Sequence, residues 1–196
     1  MSGPVPVAVI VGSTRDDRIG GRVAEWFVGE ARAHGDLEVD VVDLAGIALP
    51  DHLPSGHPSR GVYPEAVQPF AARIGAADGV VMVTPEYNHG YPGSLKNAID
   101  LVNPEWRAKP VAFVSYGGLS GGIRAVEQLR QVVVELHMVS LRDAVALPFA
   151  GRTFREGAAP DDPEGMVADG VRVMLDRLVW WSRALAAARA ASPYDG

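Results

Sequence analysis

The chain has 196 residues, a formal net charge of −6 and no cysteine. Its 47% apolar and 21% charged content is that of a globular protein with a sizeable core, not of a disordered or fibrous one. An acidic balance without any basic block argues against nucleic acid, the missing cysteine excludes disulfides and thiolate chemistry, and no apolar run is long enough to span a membrane.

Val5 to Val11 is a short β-branched run ended by Gly12-Ser13. It is apolar throughout, as in a strand covered on both faces. No charged leader precedes it, so it reads as a first strand and not as a secretory signal. Gly12 to Gly21 reads as a loop, and a helix is predicted over about Arg22 to Ala33, with Gly35 suited to stop it. Leu37 to Val42 is the second strand, closed by Asp43. Leu44 to Pro64 is a long loop with four prolines, and loops of that length are functional or mobile. Its Leu49 to Gly61 part is the candidate flank or lid of a site. A helix follows over Glu65 to Ala77, and Gly79 to Val83 is the third strand.

Thr84 to Asp100, TPEYNHGYPGSLKNAID, turns helical at about Ser94 and carries more special chemistry than a plain strand-to-helix connection needs. Lys109 to Ser115 is a fourth buried strand, followed by the glycine-rich YGGLSGG of Tyr116 to Gly122. Ile123, Val126, Leu129, Val133 and Leu136 repeat at helical spacing. Met138 to Leu147 is expected to contain the fifth strand, Phe149 to Pro163 to be irregular, and a last helix to start at Asp162-Pro163-Glu164 and end near Ala190, before a frayed SPYDG tail.

Strand and helix alternating without an internal repeat or linker predict one α/β domain over residues 1–196: a three-layer sandwich around a five-stranded parallel sheet of flavodoxin-like order 2-1-3-4-5. Right-handed crossovers then bring the loops after strands one, three and four to one edge. The first loop opens onto a helix N-terminus, where backbone N–H groups favour an anion. Ser13, Thr14, Arg15 and Arg18 add donors suited to a terminal monophosphate, whereas Asp16 and Asp17 favour a solvated turn. In the second loop Pro85 and Pro92 stiffen the backbone, Gly90 and Gly93 permit close approach, and Tyr87, His89 and Tyr91 offer walls for a flat ring. Glu86 serves such a site or pairs with an arginine, and Lys96 and Asp100, four apart, suit a helix pair. Ser115 to Gly122 holds four glycines in eight residues and presents backbone to a ligand.

The set GSTR in the first loop, PEYNHGYPGSLKNAID in the second and SYGGLSGGIRA in the third resembles the NADPH-dependent FMN reductase family, with its azoreductase, quinone reductase and chromate reductase relatives, over about Val5 to Pro148. The resemblance implies FMN as cofactor and NADPH or NADH as electron donor. It puts cofactor contacts at Ser13, Arg15, Arg18, Ile19 and Gly20, at Pro85, Glu86, Tyr87 and Asn88, and at Ser115, Gly117 and Gly118. His89 and Tyr91 become substrate-binding residues. Where many members carry a serine and an asparagine in the first loop, this chain has Arg18 and Gly20. The resemblance also implies a homodimer or homotetramer and a small-molecule acceptor; the missing cysteine fits a reducing cytoplasm, and no His/Asp/Glu cluster has the spacing of a metal site. A ping-pong reaction of this kind needs no catalytic acid or base, because the cofactor carries the chemistry. The alternatives are a flavodoxin-type electron-transfer protein and a redox-sensing flavin-binding protein, neither of which turns over NAD(P)H.

Overall fold

The computed structural model describes residues 3–156 and 159–194. Three seven-residue strands, β1 (Val5–Val11), β3 (Gly79–Pro85) and β4 (Pro110–Tyr116), form the middle of a parallel sheet. Their side chains alternate between two apolar clusters. Val7, Val9, Val81, Val83, Ala112 and Val114 face one, and Ala8, Ile10, Val80, Met82, Val111 and Phe113 face the other. Burial on both faces is why these runs show no polar alternation. β2 (Leu37–Asp43) pairs with β1 at the edge, which explains its partly polar pattern.

Helices α1 (Gly20–His34) and α6 (Met166–Ala191) cover the first cluster, and α2 (Gln68–Ala76), α3 (Gly93–Leu101) and α4 (Ile123–Glu135) cover the second. Gly35, at φ 83°, ends α1 as its left-handed C-cap. Among the described residues no helix is long and apolar enough to cross a membrane.

The strand order is β2-β1-β3-β4-β5, the expected flavodoxin-like order. The fifth position differs from a single strand. It is filled by two short segments, β5 (Val139–Ser140) and β6 (Val145–Leu147), each parallel to β4. Arg130 of α4 reaches into the break and donates to Ser140 Oγ at 2.7 Å, to the Leu141 carbonyl and to the Arg142 carbonyl at 3.0 Å. One guanidinium thus replaces the ladder bonds that a continuous strand would make.

Three further expectations are corrected. The segment after β6 is not wholly irregular: Ala150–Glu156 forms α5, whose Phe154 is buried under α1 beside Trp26. The last helix begins at Met166, four residues later than expected. Asp162 still caps it, its carboxylate accepting from the N–H groups of Val167 and Ala168 at 3.1 and 2.9 Å. Ile123 leaves the apolar stripe of α4 and is 52% exposed, while Val126, Leu129 and Val133 are buried. In the tail, Tyr194 bonds His137 Nδ1 at 2.9 Å, and Asp195-Gly196 lie outside the described residues.

Candidate functional site

The loops after β1, β3 and β4 meet at the carboxyl edge of the sheet, where α/β folds of this order bind ligands. They enclose an open cleft of about 470 Å³. That size lies within the roughly 300–1,000 Å³ of small-molecule sites. Arg15, Arg18 and Ile19 line it from the first loop, Pro85, Glu86 and Tyr87 from the second, and Gly117 and Gly118 from the third.

The first loop ends on the N-terminus of α1, whose N-cap Ile19 has no side-chain cap and whose first turn has no acid. Its orphan N–H groups and the positive end of the dipole are therefore left for an anion. The Arg15 guanidinium has no hydrogen-bond or ion-pair partner among the described residues and stands in solvent on the cleft wall. Arg18 is engaged differently. It grips Asp43 at the end of β2 with both terminal nitrogens, at 2.7 and 2.6 Å, and donates to the Ser13 carbonyl at 2.8 Å. Burial raises the Asp43 pKa, but the Arg18 guanidinium and the Ala45 N–H together outweigh it and hold the carboxyl below its usual range. Arg18 thus braces the loop and faces the cleft with its charge already matched. Asp16 and Asp17 also stand on the wall, exposed, so the anion-favouring part is the inner end by α1 and Arg15.

Ser13 is fully buried, and its Oγ lies 2.7 Å from the Tyr87 hydroxyl, which joins the first loop to the second. Ser94 at the start of α3 adds a bond to the Gly12 carbonyl at 2.6 Å. Gly20 sits beneath the cleft, where a Cβ would come within 2.4 Å of the Tyr116 hydroxyl. That hydroxyl is buried without a hydrogen-bond partner among the described residues. Burial pushes its pKa up, so the phenol is neutral in the physiological range.

Glu86 joins the second loop to the third. Its side chain is 4% exposed and pairs with Arg124. The carboxylate accepts from Ser120 Oγ at 2.9 Å and from the Arg124 N–H at 3.3 Å, in the first turn of α4. Burial raises its pKa, and the Arg124 and Ser120 hydrogen bonds more than offset this, leaving the carboxyl below its usual range. In the third loop Ser115 is buried and donates to the Gly121 carbonyl at 2.9 Å, away from the cleft. Gly121 and Gly122 have φ of 60° and 88°, and a Cβ on Gly122 would lie 2.8 Å from Ser115 Cβ. The Gly118 N–H has no acceptor among the described residues.

Asn88 and His89 form the tip of a tight hairpin. Tyr87 and Gly90 exchange both backbone bonds, at 2.8 and 3.1 Å, and the two tip residues take φ of 49° and 75°. Both are exposed and lie off the cleft wall. Tyr91 packs against the α2–α4 cluster instead of the cleft. None of the Leu49–Gly61 segment lines the cleft. It runs along α3, where Asn97 Nδ2 donates to the Pro50 carbonyl at 2.7 Å. The Lys96–Asp100 pair forms at 2.5 Å.

Four wall residues lie outside the expected contacts: Asp16 and Asp17, which read as a solvated turn, and Tyr116 and Gly151. Tyr116 was legible in principle, since β4 alternation puts it on the face of Ala112 and Val114. Gly151, in α5, gave no signal within a segment read as irregular.

Residues 5–152 match the family described as NADPH-dependent FMN reductase. The chain is 35% identical to an NAD(P)H-dependent FMN reductase of Schizosaccharomyces pombe over 72% of its own length and 73% of the relative's. It is 38% identical to a quinone reductase of Escherichia coli, over 69% and 73% respectively. Among solved structures, FerB, a flavoenzyme NAD(P)H:(acceptor) oxidoreductase from Paracoccus denitrificans, superposes with a TM-score of 0.72 at 25% identity, covering 92% of this chain and 98% of that one.

Proposed function

The chain belongs to the NADPH-dependent FMN reductase family, and from that premise we propose that FMN lies in the cleft between its three loops and serves NAD(P)H-driven reduction of small-molecule acceptors such as quinones and azo compounds. FMN supplies a carrier that accepts electrons from a nicotinamide and yields them to an organic acceptor. The chain's part is to hold and orient.

The observation that carries the placement is the uncapped N-terminus of α1 beside Arg15, whose guanidinium has no partner among the described residues. Those amides and that guanidinium hold the phosphate, with Arg18 bracing the loop behind them. Tyr87, fixed by Ser13, and Pro85 wall the ring, and the free N–H of Gly118 is supplied to its polar edge. Glu86 contributes by fastening the third loop. Asn88 and His89, at the hairpin tip, meet the acceptor as it arrives, and Tyr91 steadies the hairpin from below.

We also propose a homodimer or homotetramer in the cytoplasm. The outer face of α4 exposes Ile123 and Val134, at 52% and 64%, which suits contact with a second copy. Light scattering after size exclusion tests this, and a monomer at micromolar concentration would refute it.

For the cofactor, FMN fluorescence quenching measures affinity, and steady-state assays with NADPH or NADH and a quinone measure turnover. Arg15→Ala removes a charge-assisted contact of about 1.5–3 kcal/mol, so FMN affinity is expected to fall roughly 10- to 150-fold. Undiminished affinity would move the phosphate elsewhere. A protein that binds FMN but is not reduced by either nicotinamide would be an electron-transfer module instead.

A further inference from the structure

A second cavity, of about 500 Å³, adjoins the cleft between the turn after β6 and the start of α6. Phe149, Arg152 and Val167 are in its wall, and the cofactor placement uses none of them. Phe149 is 48% exposed and has a φ of 51°, in the left-handed region that a bulky residue rarely adopts. The backbone therefore holds an aromatic ring out at a cost to itself. The Arg152 guanidinium lies over that ring, 5.4 Å from its centroid, and has no carboxylate partner among the described residues. The ring holds the guanidinium beside it, and among the described residues its forked N–H groups have no acceptor.

Neighbouring residues line the two cavities. Gly118 and Gly151 line the cleft, and their neighbours Phe149 and Arg152 line the second cavity. The Phe149 N–H donates to the Gly118 carbonyl at 3.0 Å, tying the two sides together. A Cβ on Gly118 or Gly151 would meet nothing within 4 Å, so the ridge is bare backbone under open space. An extended ligand can cross it.

We infer that the second cavity seats the adenosine end of NADPH, with Arg152 holding the 2′-phosphate and thereby setting preference for NADPH over NADH. This rests on the proposed FMN placement, which puts the nicotinamide in the cleft. NADPH and NADH differ only at the 2′-position, where a phosphate replaces a hydroxyl. A guanidinium held against a ring, with no carboxylate partner among the described residues, is the group that reads that difference. Phe149 and Val167 supply apolar wall for the purine. Asp161 also lines the cavity and opposes an anion, so the phosphate seat is at the Arg152 end.

The test is calorimetric titration with 2′,5′-ADP and with 5′-AMP, in excess FMN, so that it does not depend on turnover. The wild type should bind 2′,5′-ADP about tenfold or more tighter than 5′-AMP. Arg152→Ala should erase the difference, and Arg152→Lys should keep part of it. Asp161→Asn should tighten 2′,5′-ADP alone. Phe149→Gly, which accommodates the positive φ, should weaken both nucleotides. In steady state the NADPH/NADH ratio of kcat/KM should fall in Arg152→Ala by the factor seen in the titration. Equal affinities in the wild type, or a difference that survives Arg152→Ala, would overturn the inference. So would a difference lost in Arg15→Ala and kept in Arg152→Ala. Binding of 2′,5′-ADP through Arg152 in a protein that takes up no FMN would support this site and refute the proposed function.

Discussion

Gly20 and Tyr116 decide the cleft floor between them. The Tyr116 hydroxyl occupies the space a side chain at position 20 would need, with only 2.4 Å to a Cβ. Gly20→Ala is therefore expected to destabilise the protein by about 1–3 kcal/mol, the usual cost of overpacking. Tyr116→Phe removes the offending oxygen, so the double variant should recover most of the loss. Thermal unfolding of the four proteins in the cycle measures the coupling, and additive effects would show that the two residues do not meet. This pairing could not be read in the chain, because positions 20 and 116 are joined only by the tertiary fold. Arg18 and Asp43 are a similar case. The sequence makes Arg18 a phosphate ligand as readily as a brace, and the choice is made by Asp43, 25 residues on. By contrast, the strand-end positions of Arg15 and Tyr87 were legible and put both on the cleft wall, while Ser13 is buried behind it and reaches the cleft only through Tyr87.

At the scale of elements, the Glu86 clamp holds the second loop to the start of α4. Its folded-state pKa is depressed, so its stabilisation is present above the unfolded value of 4.5 and is lost as pH falls through the lower, folded value. Glu86→Gln should cost about 1–3 kcal/mol at neutral pH and flatten part of the acid limb of stability. Urea denaturation at neutral and acid pH checks both. An acid limb as steep as the wild type's would place the clamp's contribution elsewhere. The central strands were legible because both-face burial writes itself as unbroken apolar runs. The fifth strand was located but not its break, because the reason for the break, Arg130, lies on another element. α5 was missed because a seven-residue helix has little room for a periodic pattern, and its anchor is the single buried Phe154.

Across the whole molecule, the end of the sheet opposite the cleft holds a buried Lys109. Its Nζ donates to the Ile74 and Gly75 carbonyls at 2.7 and 3.0 Å, at the C-terminus of α2. Burial, with Arg189 adding to it, brings its pKa down to about 8, from 10.5. Between about pH 8 and pH 10 the unfolded chain thus binds more protons than the folded one, and stability should rise with pH. Lys109→Met should abolish that rise in urea denaturation, and a slope that persists would assign it to another group. At the other end, the cleft loops are fastened to one another before any ligand arrives, by Ser13 to Tyr87, Ser94 to Gly12 and Glu86 to Ser120. Most of the conformational entropy of ordering the cradle is then lost during folding, not on association. Hydrogen exchange of the bonded loop amides, those of Gly12, Glu86, Tyr87 and Gly117, should accordingly be slow already in the empty protein, and added FMN should protect chiefly the amides at the start of α1 and of Gly118. A cradle of this kind releases its guest slowly, and the protein should leave a purification column still yellow.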